Sequence, residues 1–168
     1  MKIAILGYSG SGKSSLAAHL AKKHSLPLLH LDTVQFLPDW EIRSDEEKTA
    51  IIKDFLDKND AWVIDGNYSR FFLERRLLEA DLILLLLFNR VSCLYRVLKR
   101  YRLYRNKSRP DMTEGCKEKI DREFLSWVWH QGRTGKKKAM YKAIAAQYGD
   151  KVKIAKNQRQ LSALYEEC

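Results

Sequence analysis

The sequence predicts a three-layer α/β fold, in which a five-stranded parallel sheet is flanked by helices. Two observations support this prediction. Short, mostly apolar runs recur along the chain, as expected for strands that are buried on both faces of a parallel sheet. Helical patterns separate most of these runs, which favours right-handed crossovers between parallel strands. The predicted strands cover residues 2–6, 28–31, 61–64, 82–88 and 152–155.

The helices between the strands are predicted from apolar spacing and capping residues. Leu16 and Leu20 lie one turn apart in the helical pattern that follows the first strand. Ser44 and Glu47 form a capping box, which predicts a helix that begins there and extends to about residue 58. Further helical patterns cover residues 70–79 and 162–167.

The stretch 90–148 departs from this alternation, because it contains about 60 residues of helical pattern and no strand candidate. A helix is predicted over 90–105, and Pro110 interrupts the pattern because the residue before a proline disfavours helix. Helices are predicted again over 116–130 and 134–148. No internal repeat or flexible linker divides the chain, so we expect one domain over 1–168 with a helical lid at 90–148.

Composition limits the classes of protein that this chain could represent. Its 168 residues are enough to bury a core, and the longest apolar run, at 82–88, is too short to cross a bilayer. The chain starts directly with a strand, so no leader peptide is expected. Its three cysteines are widely spaced and suggest neither a disulfide framework nor a metal site. We therefore expect a cytoplasmic protein with reduced thiols and no membrane partner.

The positive charge is concentrated in one segment. The chain carries a formal charge of +10, while residues 90–142 alone hold 16 Lys and Arg against 5 Asp and Glu. Residues 90–109 contain eight basic residues and no acid, and such uncompensated repulsion favours an anionic partner. Two interpretations stay open: a lid whose arginines clamp a polyphosphate, or a surface that binds nucleic acid weakly.

A phosphate-binding loop follows the first predicted strand. Residues 7–14 read GYSGSGKS and match the pattern G-x-x-x-x-G-K-[ST] between a strand and a helix. Glycines let successive backbone amides face phosphate oxygens, while the lysine reaches the β- and γ-phosphates and the last serine binds Mg²⁺. The sequence therefore predicts ATP and Mg²⁺ as cofactors. The predicted contacts are Gly7, Ser9, Gly10, Ser11, Gly12, Lys13, Ser14 and Ser15.

Three further polar residues lie where a ligand of a parallel sheet would bind, beyond the carboxyl ends of the strands. Asp65 closes the third predicted strand and is expected to hold Mg²⁺ directly or through water, together with Ser14. Asp32 closes the second, where it could bind an acceptor hydroxyl or metal-bound water, or cap a turn. Arg70 carries a guanidinium suited to bidentate phosphate binding.

Other polar and aromatic residues receive less functional weight. Trp127 and Trp129 are expected to pack rather than to bind a base, and His19, His24 and His30 receive no role.

Three segments resemble the nucleoside monophosphate kinase family, adenylate kinase included. They are the loop at 7–14, the run DGNYSR at 65–70 and the run RVLKR at 96–100. Over its whole length the chain resembles the DNA topology modulation (FlaR-like) proteins, whose sequences are kinase-like. That resemblance rests on LHLDTV at 29–34, WVIDGNY at 62–68, RPDM at 109–112 and KNQR at 156–159.

The resemblance implies a P-loop NTPase fold and a role for each matching residue. Lys13, Asp65, Arg96 and Arg100 would form the catalytic set, with Arg96 also stacking on adenine. Arg70 would bind the phosphate of the acceptor, and Arg109 and Arg122 would be mobile lid arginines. The loop at Asn157 and Gln158 would meet the adenine base with its backbone.

The acceptor is not identified by the resemblance. Ser69 replaces the proline of the kinase motif, and the spacing from Asp111 to Arg122 differs from the adenylate kinase lid. The predicted acceptor-side region, 33–59, has no AMP-binding pattern and carries the acidic run Asp45, Glu46 and Glu47.

Three functions stay open at this point. The first is a kinase of the nucleoside monophosphate type that phosphorylates a small-molecule acceptor. The second is a small-metabolite kinase of the shikimate or gluconate type. The third is an ATP-binding regulator of DNA topology without metabolic kinase activity.

Overall fold

The predicted sheet is confirmed: all five strands are parallel, in the order β2-β3-β1-β4-β5. The structure, a computed structural model, describes residues 1–168. Its strands are β1 (Lys2–Gly7), β2 (Leu28–His30), β3 (Trp62–Asp65), β4 (Leu82–Leu86) and β5 (Val152–Ala155). The central strand β1 is buried from Ile3 to Gly7, and 32 buried residues form one apolar cluster around the sheet.

Helices cover both faces of the sheet and build the lid. They are α1 (Lys13–His24), α2 (Leu31–Gln35), α3 (Asp45–Lys58), α4 (Leu73–Glu79), α5 (Arg90–Tyr104), α6 (Arg122–Trp129), α7 (Gly135–Gln147) and α8 (Gln158–Glu167). The predicted N-cap of α3 is confirmed, since Ser44 Oγ accepts from the Glu47 amide at 3.2 Å. The Glu47 carboxylate accepts from the Ser44 hydroxyl at 2.8 Å and not from the Ser44 amide, so the reciprocal half of the capping box is not formed.

Two predicted strands end earlier than the apolar runs indicated. Leu31 belongs to α2 rather than to β2, although it is fully buried. The run at 82–88 leaves the sheet after Leu86, while Phe88 remains buried outside it. Burial explains both errors, because an apolar run reports that a segment is buried and not which backbone conformation it adopts.

The lid contains no strand of the sheet, as predicted, but its middle is less helical than expected. The predicted helix at 116–130 starts only at Arg122, because residues before it pair with the segment that follows α5 instead. Isolated bridges join Arg105 to Glu118 and Ser108 to Lys117. Asp121 then begins α6 by accepting from the amide of Phe124 at 2.7 Å.

A buried arginine between α6 and α7 ties the lid back to the residues that precede α5. The guanidinium of Arg133 donates to the carbonyls of Phe88 at 2.7 Å, Val128 at 3.1 Å and Asn89 at 3.4 Å. It also lies 3.9 Å from the centroid of the Tyr8 ring. Arg133 is therefore held against the segment that follows β4, beside the phosphate loop.

None of the helices combines the length and the apolar composition that crossing a bilayer requires.

Candidate functional site

The loop between β1 and α1 has the backbone of a phosphate cradle. Gly7, Gly10 and Gly12 have φ angles of 147°, 77° and 97°, which side-chain-bearing residues rarely adopt. A Cβ on Gly7 would lie 2.3 Å from the carbonyl oxygen of Leu86, so the neighbouring strand also requires glycine there. The loop therefore depends on its glycines for both conformation and space.

Most amides of this loop are free to bind a ligand. Ser11 donates its amide to the Tyr8 carbonyl at 3.1 Å, whereas the amides of Gly10, Gly12, Lys13 and Ser14 have no acceptor within the protein. The Oγ of Ser11 is buried and also has no partner. A row of unpaired donors at the start of a helix fits the oxygens of a polyphosphate.

Lys13 and Ser14 end the loop beside two carboxylates. The ammonium of Lys13 donates to the Tyr8 carbonyl at 3.1 Å. Burial lowers the pKa of Lys13, and the charges of Asp65 and Asp32 oppose that shift. Ser14 Oγ donates to Asp65 Oδ2 at 2.9 Å, so a hydroxyl and a carboxylate meet at the sheet edge. Oxygen donors of this kind suit Mg²⁺, and the residues present fit the cofactors that the sequence predicts.

His30 contacts the same carboxylate, a partner that the sequence analysis missed. The parallel register of β2 and β3 places His30 opposite Asp65, and His30 Nδ1 hydrogen-bonds to Asp65 Oδ1. Burial acts to lower the pKa of His30, but the hydrogen bond and charge of Asp65 outweigh it, so the pKa is raised. The pair depends on the register of β2 and β3, which the predicted strand ends do not give.

The acceptor side of the cleft is formed by the segments that follow β2 and β3. Asp32, in the first turn of α2, accepts a hydrogen bond from the Tyr68 hydroxyl at 2.7 Å. Burial and the charge of Asp32 raise the pKa of Tyr68, which keeps the phenol protonated. Arg70 is exposed and lines the cleft. Asp32 and Arg70 therefore bring opposite charges to one wall.

The acidic run at the start of α3 contributes less negative charge to the cleft than the sequence indicates. Asp45 and the buried Lys48 line the cleft and form an ion pair at 2.5 Å, whereas Glu46 and Glu47 do not reach it. The net charge that α3 presents to the cleft is therefore close to zero. This removes one objection to an anionic acceptor.

Arg96 connects the lid to the phosphate loop. Its guanidinium donates to the Ser11 carbonyl at 2.8 Å and to Gln158 Oε1 at 2.6 Å, and it lies 4.2 Å from the centroid of the Phe88 ring. Asn157 caps α8 by accepting from the Gln160 amide at 3.0 Å. Arg96 and the segment after β5 thus lie together on one side of the loop.

Two other lid arginines share one buried carboxylate. Arg100 Nε and Arg109 Nε each lie 2.7 Å from a different oxygen of Glu118, which is 4% exposed. Arg109 also pairs with Asp111 at 2.8 Å. Burial lowers the pKa of Arg100, as does the charge of Arg109, while Glu118 counteracts both. The resemblance implies a mobile Arg109, whereas here it is buried and held by two ion pairs.

A cleft of about 1070 Å³ brings most predicted site residues together. Gly7, Ser11, Asn157 and Arg122 do not line it. The amides of Gly7 and Ser11, predicted to contact phosphate, are bonded to Asn67 and Tyr8 instead, and Arg122 is exposed at the start of α6. Trp127, which was expected to pack, instead lies in the cleft, and Lys137 joins it there. The predicted residues in the lining are Ser9, Gly10, Gly12, Lys13, Ser14, Ser15, Asp32, Asp65, Arg70, Arg96, Arg100 and Arg109.

Comparison with known proteins supports the α/β fold and its resemblance to P-loop proteins. Residues 1–68 match the sequence model of the isopentenyl transferase family, which is a P-loop kinase-like family. The crystal structure of an uncharacterized protein from Eubacterium ventriosum ATCC 27560 is similar over 99% of this chain and 96% of that chain. Its TM-score is 0.50 and its sequence identity 17%, so this likeness concerns the fold alone. None of the curated proteins matches the chain.

Proposed function

We propose that this protein is an ATP-dependent phosphotransferase of the nucleoside monophosphate kinase type, which transfers the γ-phosphoryl group of ATP to a small acceptor. One observation carries the proposal. The free amides of the loop lead directly to Lys13 and to the Ser14–Asp65 pair, and these face the lid arginines across a single cleft. Phosphoryl transfer depends mainly on positioning and on charge stabilisation, and this cleft offers both.

The nucleotide side follows from the contacts already described. The loop amides bind phosphate oxygens, Lys13 neutralises charge near the β- and γ-phosphates, and Ser14 with Asp65 holds Mg²⁺. The metal supplies charge neutralisation between the phosphates. Arg96 offers the base a flat guanidinium beside α8.

The acceptor side lies between Asp32 and Arg70. Arg70 is free to bind an anionic group of the acceptor, while Asp32 can accept a hydrogen bond from an attacking hydroxyl. Arg100 and Arg109 reach the cleft from the lid, where their charges stabilise the transferring group. Closure of the lid would exclude water, which otherwise competes as acceptor.

A second candidate is the transfer of an isopentenyl group, which the family match over residues 1–68 favours. In that case the same loop would hold the diphosphate of a prenyl donor. The small-metabolite kinase, in which Asp32 touches a sugar or polyol hydroxyl, differs from the first proposal only in the acceptor.

One experiment separates these functions. The purified protein is incubated with MgATP and a panel of nucleoside monophosphates, sugar acids and polyols, and separately with a prenyl diphosphate and nucleosides. Products are identified by phosphorus NMR and mass spectrometry. We expect ADP and a phosphorylated acceptor from the first set. A prenylated product, or turnover in neither set, would overturn the kinase proposal.

The basic lid is also compatible with nucleic-acid binding. Measurements at different salt concentrations distinguish this role from catalysis. Binding through phosphates weakens steeply with salt concentration. We expect DNA binding to disappear at moderate salt while transferase activity persists. DNA binding that survives such salt, with no turnover on any acceptor, would favour the regulator of DNA topology instead.

A further inference from the structure

Lys137 occupies a position at the start of α7 from which it reaches the cleft. Its amide donates to Thr134 Oγ1 at 3.3 Å, the capping bond that begins the helix. Its side chain is half-buried and lines the cleft, whereas the neighbouring Lys136 and Lys138 are exposed and do not. The cleft thus receives one lysine from a run of three.

An aromatic ring holds the Lys137 ammonium next to the phosphate loop. The Nζ atom lies 4.0 Å from the centroid of the Trp127 ring, within the range of a cation–π contact. The indole Nε1 of Trp127 donates to Ser9 Oγ at 3.3 Å, so the ring itself contacts the loop. Through this contact, a residue of the lid is held beside the site predicted for the nucleotide's phosphates.

Lys137 faces a second cation. Both Lys13 and Lys137 line the same cleft. Burial lowers the pKa of Lys137, and the positive charge of Lys13 lowers it further. Neither lysine forms an ion pair within 4.0 Å. The carboxylates of Asp65 and Asp32 act on Lys13, but no carboxylate acts to raise the pKa of Lys137. Two cations on facing elements of one cleft create a site for a group with more than one negative charge.

We propose that Lys137 is a second phosphate-binding lysine, which binds the terminal phosphate of a nucleoside triphosphate from the lid side, opposite Lys13. Trp127 positions it by holding the ammonium over the phosphate loop. This inference rests on the proposed function, because it requires that the loop binds a triphosphate. It adds a discrimination between triphosphate and diphosphate, since Lys13 reaches the phosphates from the loop and Lys137 contacts only the group at the lid side.

The test compares the affinities of a non-hydrolysable MgATP analogue and of MgADP by calorimetry. Lys137→Met removes the charge and keeps an unbranched side chain, while Lys136→Met makes the same change one residue away on an exposed position. We expect Lys137→Met to weaken binding of the ATP analogue about tenfold, equivalent to ~1.4 kcal/mol, with little effect on MgADP. Lys136→Met should bind both nucleotides as the unmodified protein does.

Two calorimetric outcomes would overturn the inference. A third variant, Lys13→Met, distinguishes these outcomes from failure of the proposed function. Equal weakening of both nucleotides, or no weakening of either, in Lys137→Met would assign Lys137 a structural or surface role. If Lys13→Met still loses affinity for both nucleotides, the proposed function stands while the inference fails. If the unmodified protein binds neither nucleotide, both fail.

Chemical labelling provides a readout on the unmodified protein. Its lowered pKa makes Lys137 a good target for an amine-acylating reagent, and peptide mass spectrometry reports the extent of labelling at each lysine. We expect the MgATP analogue to protect Lys137 and MgADP to leave it reactive, with Lys136 labelled equally in both. Equal labelling of Lys137 with the two nucleotides would contradict the inference.

Discussion

The carboxamide of Asn67 forms two hydrogen bonds with Gly7, accepting from its amide at 2.9 Å and donating to its carbonyl at 2.5 Å. Asn67 follows β3, whereas Gly7 ends β1 and starts the phosphate loop. The hydroxyl of Tyr141, on α7, donates to the same Asn67 oxygen at 3.1 Å. One side chain thus joins the loop, the central sheet and a lid helix.

Replacing Asn67 is expected to destabilise the protein and to weaken nucleotide binding. Asn67→Ala removes the partners of two backbone groups of Gly7, and leaving such groups unpaired costs about 1–3 kcal/mol. Urea unfolding measures the stability, and calorimetry with MgATP measures the affinity. Asn59→Ala is the control, because it removes a hydrogen bond to the Phe55 carbonyl far from the loop. Unchanged MgATP affinity in Asn67→Ala would contradict a role for this bond in shaping the loop.

Lys13→Ala is expected to abolish phosphoryl transfer and to weaken ATP binding. Lys13 is the cation that the loop motif assigns to the β- and γ-phosphates, so its loss should remove charge stabilisation in both the bound and the transition state. The measurements are turnover with the acceptor found and calorimetry with MgATP. Lys22→Ala, on the exposed face of the same helix, should retain both properties. Turnover that persists unchanged in Lys13→Ala would overturn the mechanism.

Arg100→Ala is expected to lower kcat far more than ATP affinity. Arg100 contacts Glu118 in the lid and no residue of the phosphate loop, so its contribution should appear mainly when the lid stabilises the transferring group. Removal of one preorganised donor that stabilises charge in a transition state costs about 10²–10³ in kcat, and we expect a loss of this order here. Arg102→Ala, exposed on the same helix, serves as the control. Equal losses in kcat and affinity would indicate simple binding.

The ion pairs of Glu79, one of which joins α4 to the start of β1, make the stability of the protein depend on pH. Burial acts to raise the pKa of Glu79, but hydrogen bonds from Lys2 and Arg75 outweigh it, so the pKa is lowered on folding. A lowered pKa contributes stability above the unfolded value of 4.5, and that contribution is lost as the pH falls through the folded value. Glu79→Gln should therefore cost about 0.5–1 kcal/mol near neutral pH and progressively less below it.

The measurement is urea unfolding of Glu79→Gln and the unmodified protein between pH 3 and pH 7. Glu74→Gln, an exposed residue without an ion-pair partner in the same helix, controls for the loss of one negative charge. If the difference in unfolding free energy between Glu79→Gln and the unmodified protein stays constant with pH, the ion pairs of Glu79 contribute nothing to stability.

The sheet was predictable because its strands are short, mostly apolar runs, which are visible in the local sequence, and β1, β3 and β4 are almost wholly buried. The phosphate loop was predictable because its glycines and Lys13 are adjacent in the chain. Strand ends were less predictable, since the burial of Leu31 does not distinguish a strand from the first turn of a helix.

Contacts between distant segments could not be predicted from spacing. His30 contacts Asp65 because of the register of β2 and β3. Lys137 contacts Trp127 because of the turn between α6 and α7. In the sequence Asn67 is indistinguishable from an ordinary loop residue, and only the order of the strands places it beside Gly7. Each of these pairs requires tertiary structure, which a single sequence does not specify at the level of individual contacts.

The contacts that Arg133 makes with Phe88 and Asn89 bring the two ends of residues 90–132 side by side. Because these ends coincide, a change of chain length between α5 and α6 can be absorbed there without shifting the pairing of β4 with β5.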